Sequence, residues 1–175
     1  MQRDEIDVCF IRRLEPDVHG VDAALLHEEA MVVALPSGHR LAQGDPAAAI
    51  ALKALAGEIF ILFGDPRRDA VQRNSAFVAA CHAAGFTPRI GQVVPYISSR
   101  LNFIAAGLGV AVVAASLKHV KIEGVTFRGL RGAPLLNAPL CIAFRRNDAS
   151  PVVRHFLGLA KTAAKTFYVG ERKRP

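Results

Sequence analysis

The chain has 175 residues, 22 basic and 15 acidic, for a formal net charge of +7, and 51% of its residues are apolar. That length fits one domain or two small lobes, and the apolar share supports a real core, which excludes a disordered or fibrous chain. The basic excess is scattered through Arg12-Arg13, Arg67-Arg68, Arg145-Arg146 and the tail from Glu171 to Pro175, with no basic stripe interleaved with aromatic residues, so a nucleic-acid groove is not indicated.

In chain order, Ile6 to Arg12 is a short apolar run ending in charge and predicts a buried strand. Glu29 to Leu35 predicts a second strand, stopped by Pro36-Ser37-Gly38. Ala51 to Ala56 reads as one or two helical turns, and Glu58 to Phe63 as a β-branched and aromatic strand ending at Gly64-Asp65-Pro66. From Asp69 to Ala84, Val71, Phe77, Val78, Cys81 and Ala84 fall at helical spacing, and Gly85 is a natural residue after the helix end. Arg89–Val94 predicts a strand, Ser98–Ala106 a helix, Gly109–Ala114 an apolar strand, Val125–Leu130 an alternating strand and Pro139–Arg145 a last buried strand. Ser150-Pro151 is an N-cap followed by a first-turn proline, opening a helix over about Val152–Lys165 with Val153, Phe156, Leu157 and Ala160 inward.

Strands and helices alternate, and several strands are apolar on both faces. The pattern predicts an α/β fold with mostly parallel sheets. Gly64-Asp65-Pro66 and Gly132-Ala133-Pro134 are candidate crossover points bracketing a middle segment of about 65–135. The longest apolar run, Phe103 to Ala115, is shorter than the ~20 residues of a membrane-spanning helix. With no apolar run for a signal peptide at the start, a soluble cytoplasmic protein is expected.

Most of the chemistry sought is not found. Cys9, Cys81 and Cys141 are odd in number, far apart and in apolar surroundings, which favours free thiols over disulfides or metal ligands. None of the six histidines pairs with a His, Cys or carboxylate at zinc-ligand spacing, so no metal is expected. The glycines Gly107 and Gly109 follow a helix and precede a strand, the reverse of a dinucleotide loop. They read as a helix end and a tight strand entry. No nucleophile–base set is present, so neither catalysis nor a cofactor is expected. Ser98-Ser99, at the start of a helix, could cap it, or could join its free N–H groups around a small anion.

A composite of motifs spans Ile6 to Lys165: Ile6-Asp7-Val8 with Arg12; Glu29 to Pro36 followed by His39, Leu41 and Ala42; Ile59 to Phe63; Ala84-Gly85-Phe86-Thr87-Pro88; Ile104 to Val110; and Ser150-Pro151. In this order it resembles the effector-binding domain of LysR-type transcriptional regulators, most of all the branch controlling aromatic-compound degradation. The resemblance implies two Rossmann-like subdomains joined by crossover strands, like type II periplasmic binding proteins. It divides the chain into subdomain one (1–62 plus 138–168), subdomain two (63–137) and a basic tail (169–175). A small effector, often a carboxylate, is expected in the cleft between subdomains.

By position, the resemblance makes Ser98, Ser99, Gln92 and Phe63 effector contacts. Arg12 matches an arginine that binds a second carboxylate in the aromatic branch, and a surface salt bridge is the competing reading. The family's winged helix-turn-helix and the first strand–helix–strand of subdomain one are not matched here. The expectation is therefore a truncated effector domain that senses a small anion, forms a homodimer and reaches DNA only through a winged helix-turn-helix domain outside this chain. The rival readings are a stand-alone solute-binding protein of the same fold and an enzyme on that fold.

Overall fold

The computed structural model describes residues 6–12, 19–65, 74–134 and 136–171. Nine strands are described: β1 Val8–Ile11, β2 Val21–Glu29, β3 Met31–Pro36, β4 Ile50–Ala51, β5 Ile59–Phe63, β6 Arg89–Val94, β7 Ala111–Ala114, β8 Val125–Arg131 and β9 Ala138–Arg145. Three α-helices are found among the described residues: α1 Ser75–Ala83, α2 Ile97–Ala105 and α3 Pro151–Glu171. The chain forms two compact units, one made of the residues up to Glu29 and from Ala138 onward, the other of Ala30–Asn137. These units change over at 29/30 and 137/138, whereas the expected subdomain limits were 62/63 and 137/138.

In the first unit β9 is the central strand of an antiparallel sheet in the order β1-β9-β2. Its Cys141, Ile142 and Ala143 are all buried. α3 packs on β2. The helix starts as its sequence predicts: Asp148 Oδ1 accepts from Ser150 N–H at 2.8 Å, and Ser150 Oγ accepts from Val153 N–H at 3.4 Å. Val153 is buried and Leu157 and Ala160 partly so, while Phe156 is exposed. The helix outruns its predicted end at Lys165 and continues to Glu171, so the expected tail from 169 is helical at its start.

The second unit holds a four-stranded sheet, β4-β8-β3-β7, and a parallel pair, β5-β6. An isolated parallel bridge between Phe60 and Val110 joins the two, giving the lateral sequence β4-β8-β3-β7-β5-β6. Side chains alternate across a strand, and helices cover both faces. On one face Phe60 and Leu62 meet Phe77 and Cys81 of α1, together with Val33, Leu35 and Val112. Phe60 and Phe77 meet edge to face with ring centroids 5.0 Å apart. On the other face Ile61 and Val94 meet Leu101 and Ile104 of α2, together with Val32, Ala34, Ala111 and Val113. The predicted helix from Asp69 is seen from Ser75, since 66–73 lie outside the described residues.

Two expectations are corrected. The sheets are not mostly parallel: β1/β9, β2/β9, β3/β7 and β3/β8 are all antiparallel. An apolar run such as Val32–Leu35 reports that both faces are covered, and coverage does not fix strand direction. β2 was also not foreseen. Its sequence VDAALLHEE lacks clean alternation, and the pairing slips between Leu25 and His27. A bulge of this kind shifts the two-residue period that strand recognition needs.

The glycines of Gly107-Leu108-Gly109 have separate tasks. Gly107 N–H reaches Ile104 O at 2.9 Å and Leu108 N–H reaches Phe103 O at 3.0 Å, the paired bonds of a helix end that requires a left-handed residue. Gly107 supplies it with φ +76°. At Gly109 a Cβ would lie 2.5 Å from Ile59 O, so the chain can enter β7 beside β5 only without a side chain.

Candidate functional site

The carboxyl ends of β5, β6 and β7 lie together in the second unit, with β5 in the middle. The chain leaves β5 through α1 to reach β6 on one side. It then crosses back through α2 to β7 on the other side, and α1 and α2 cover opposite faces. The gap between β5 and β7 is therefore a topological switch point, the place where open α/β sheets leave a crevice beyond the strand ends.

Four of the five expected site residues belong to this end of the unit. Phe63 is the last residue of β5 and is 44% exposed. Gln92 is opposite Ile61 in the β5–β6 register and exposed. Because Gln92 pairs with Ile61 and Val94 with Phe63, all four occupy the face covered by α2. Beyond them Gly64 N–H donates to Val94 O at 2.9 Å, and Asn74 Nδ2 donates to Phe63 O at 3.0 Å.

Ser98 and Ser99 are in the first turn of α2, exposed and half-buried respectively. Neither is the N-cap. That position is Tyr96, whose side chain makes no capping bond. The first backbone bond of the helix is Arg100 N–H to Tyr96 O at 3.1 Å. The N–H groups of Ile97, Ser98 and Ser99 precede that ladder, and among the described residues they meet no acceptor. Three N–H groups, the positive end of a helix dipole and two hydroxyls thus stand at the switch point.

Arg12 follows β1 in the first unit, and its Nη1 pairs with Oε1 of the buried Glu29 on β2.

Sequence reasoning missed Arg100. It is only 6% exposed, and it donates from Nε to Ile61 O at 2.7 Å and from Nη2 to Val112 O at 3.2 Å. Burial pushes its guanidinium down to about 10 from the ordinary 12.5. The helical period held the signal: Arg100 is three residues after Ile97 and four before Ile104, on the inward stripe. A second arginine, Arg128 of β8, is also buried and organises the loop after β3. Its Nη1 donates to the carbonyls of Leu41, Ala42 and Gln43 and its Nη2 to Asp45 and Ala48.

All three cysteines are free. Burial pushes the Cys81 thiol up to about 11, and burial with the nearby Glu28 charge raises Cys141 as well. Among the described residues no group of three His, Cys, Asp or Glu side chains could hold a metal ion, and no helix is long and apolar enough to cross a membrane.

Residues 1–165 match the family model described as the LysR substrate binding domain. The chain belongs to this family. Among its curated relatives is the HTH-type transcriptional regulator CatR of Pseudomonas putida, 27% identical over 167 residues, which cover 94% of this chain and 54% of the relative. The LysR-domain chain spans about half the length of the curated relatives it matches. Among solved structures, the BenM effector binding domain with its effector benzoate has a TM-score of 0.76 at 22% identity, covering 99% of this chain and 74% of that one. The effector binding domain of QuiR in complex with shikimate has a TM-score of 0.74 at 19% identity, covering 94% and 75%. The fold is therefore that of LysR effector-binding domains, the type II periplasmic-binding-protein-like α/β fold.

Proposed function

We propose that the chain is the effector-sensing domain of a LysR-type transcriptional regulator and binds a small carboxylate at the switch point of its second unit. The observation that carries the proposal is the open first turn of α2, with the N–H groups of Ile97, Ser98 and Ser99 and two serine hydroxyls at the ends of β5 and β6. A carboxylate there takes N–H bonds and the favourable end of the helix dipole. The Phe63 ring offers apolar surface to the body of the ligand, and the Gln92 amide offers a donor and an acceptor. Arg12, engaged with Glu29, is not needed for this binding. Benzoate in BenM and shikimate in QuiR, both ring carboxylates, support the ligand class.

In this reading the protein acts in the cytoplasm as a regulator rather than as an enzyme, and it works as a homodimer. Operator contact belongs to a helix-turn-helix part of such a regulator. The effector changes transcription by binding one conformational state more tightly than another.

Calorimetric titration with sodium benzoate, shikimate and cis,cis-muconate tests the proposal. Saturable binding of at least one acid is expected, weakened at least about ten-fold by combined Ser98→Ala and Ser99→Pro, the proline removing one of the first-turn N–H donors. Absence of saturable heat with every acid, or an unweakened folded variant, sinks it.

A further inference from the structure

We infer that Arg100 sets the charge selectivity of this site: its guanidinium, enclosed where β5 and β7 part and with no carboxylate partner among the described residues, makes the switch point prefer an anion over its neutral isostere. The inference rests on the effector-binding reading above and names the residue that selects the ligand's charge.

The geometry begins in the short ladder between the two strands. Val110 N–H donates to Ile59 O at 2.8 Å, and Ile61 N–H donates to Val110 O at 2.9 Å. Continuation of a parallel ladder would next engage Ile61 O. Instead the pairing stops at the isolated Phe60–Val110 bridge, and among the described residues β7 continues paired with β3 alone. Arg100 enters the gap and donates to both carbonyls left over, Ile61 O and Val112 O. Ile61 is two residues from the end of β5, about 7 Å below the crevice. Arg100 itself is the first residue after the open turn of α2, and helical side chains lean toward the helix N-terminus. The cation therefore underlies the same turn whose N–H groups are free.

The electrostatics are incomplete without a further charge. Carbonyl dipoles satisfy two of the guanidinium nitrogens but do not neutralise it, and enclosing a net charge away from water is costly. Among the described residues no carboxylate pairs with Arg100, and its Nη1 carries no hydrogen bond. The lowered proton affinity of the group reflects the same desolvation. An anion seated on the α2 turn lies roughly 7 Å from the cation and compensates part of this charge through the buried layer between them, which screens less than bulk water does. A neutral ligand of the same shape gains the N–H bonds but not the compensation. A residue needed only to hold two carbonyls together would not discriminate between such ligands.

Titration of the 175-residue chain with sodium benzoate and with benzamide, for wild type, Arg100→Lys and Arg100→Gln, tests the inference. Wild type is expected to bind benzoate at least ten-fold more tightly than benzamide. Arg100→Lys keeps that preference, and Arg100→Gln loses it. Equal affinity of wild type for the two ligands overturns the inference and leaves the effector-binding reading standing, as does a preference retained by folded Arg100→Gln. If Arg100→Gln does not fold, the Arg100 Nε–H resonance of wild type decides. A shift on adding benzoate and none on adding benzamide supports the inference, and any other pattern overturns it. Absence of binding by benzoate, shikimate and cis,cis-muconate alike overturns both readings together.

Discussion

Arg100 Nε lies 2.7 Å from Ile61 O, and that bond fills the rung at which β5 and β7 stop pairing with each other. A charged group thereby closes a junction that a continuous parallel ladder would have closed with backbone alone. Replacing Arg100 by Ala leaves Ile61 O and Val112 O without their donor and opens a void beneath α2. The expected loss of stability is about 3 kcal/mol, from unpaired buried acceptors together with a cavity. Arg100→Lys, a point donor able to reach one of the carbonyls, should lose about 1 kcal/mol. Urea unfolding followed by circular dichroism checks both values, and an Ala variant as stable as wild type would remove the junction role.

The two glycines after α2 should differ in tolerance. At Gly107 a Cβ meets nothing within 4 Å, so Gly107→Ala suffers only the left-handed backbone and should cost about 1–2 kcal/mol. At Gly109 the Cβ would strike Ile59 O at 2.5 Å. That clash forces β7 from β5 and disturbs the Val110–Ile59 bond, so Gly109→Ala should cost more, about 3 kcal/mol or above. Urea midpoints for the two variants give the ranking, and equal midpoints would contradict it.

The same stretch shows what was legible in the sequence. The helix–turn–strand order around Gly107-Leu108-Gly109 followed from periodicity and glycine placement, and the bounds of β6 at Arg89 and Val94 were read correctly. Strand direction was not legible, because Val32–Leu35 would be equally apolar in either orientation under two helical layers. β2 was hidden by its bulge and by Ala, Leu and Glu, residues that favour helices. At the candidate site, Ser98, Ser99, Gln92 and Phe63 were named through the family resemblance rather than through local chemistry. Arg100 escaped because charge is ordinarily taken as a sign of the solvent face, and only its spacing from Ile97 and Ile104 marked it as inward.

Arg128 should control the order of the loop it grips. Its two terminal nitrogens hold the carbonyls of Leu41, Ala42, Gln43, Asp45 and Ala48, and few other bonds tie that segment to β8. Arg128→Met keeps the apolar stem in place and removes these donors. Amide hydrogen exchange over 41–48 is expected to quicken at least about ten-fold, a local loss near 1.4 kcal/mol, while amides of β3 and β7 change little. Unchanged exchange in the loop would show that other contacts hold it.

Cys81 makes a prediction for alkaline pH. The thiol is fully buried against Phe60 and Phe77 in the α1 face of the core, and desolvation raises its pKa from 9.0 to about 11. In the unfolded chain the thiol ionises near 9, so between pH 9 and 11 the unfolded state holds fewer protons than the folded state. Stability linked to this group is therefore complete below pH 9 and is lost as pH rises through 11. Cys81→Ala should be less stable than wild type at pH 7 because of the cavity it leaves, yet its stability should fall less steeply between pH 9 and 11. Urea unfolding at intervals across that range gives the two slopes. Parallel slopes would mean that the thiol ionises as readily in the folded protein as in the unfolded chain.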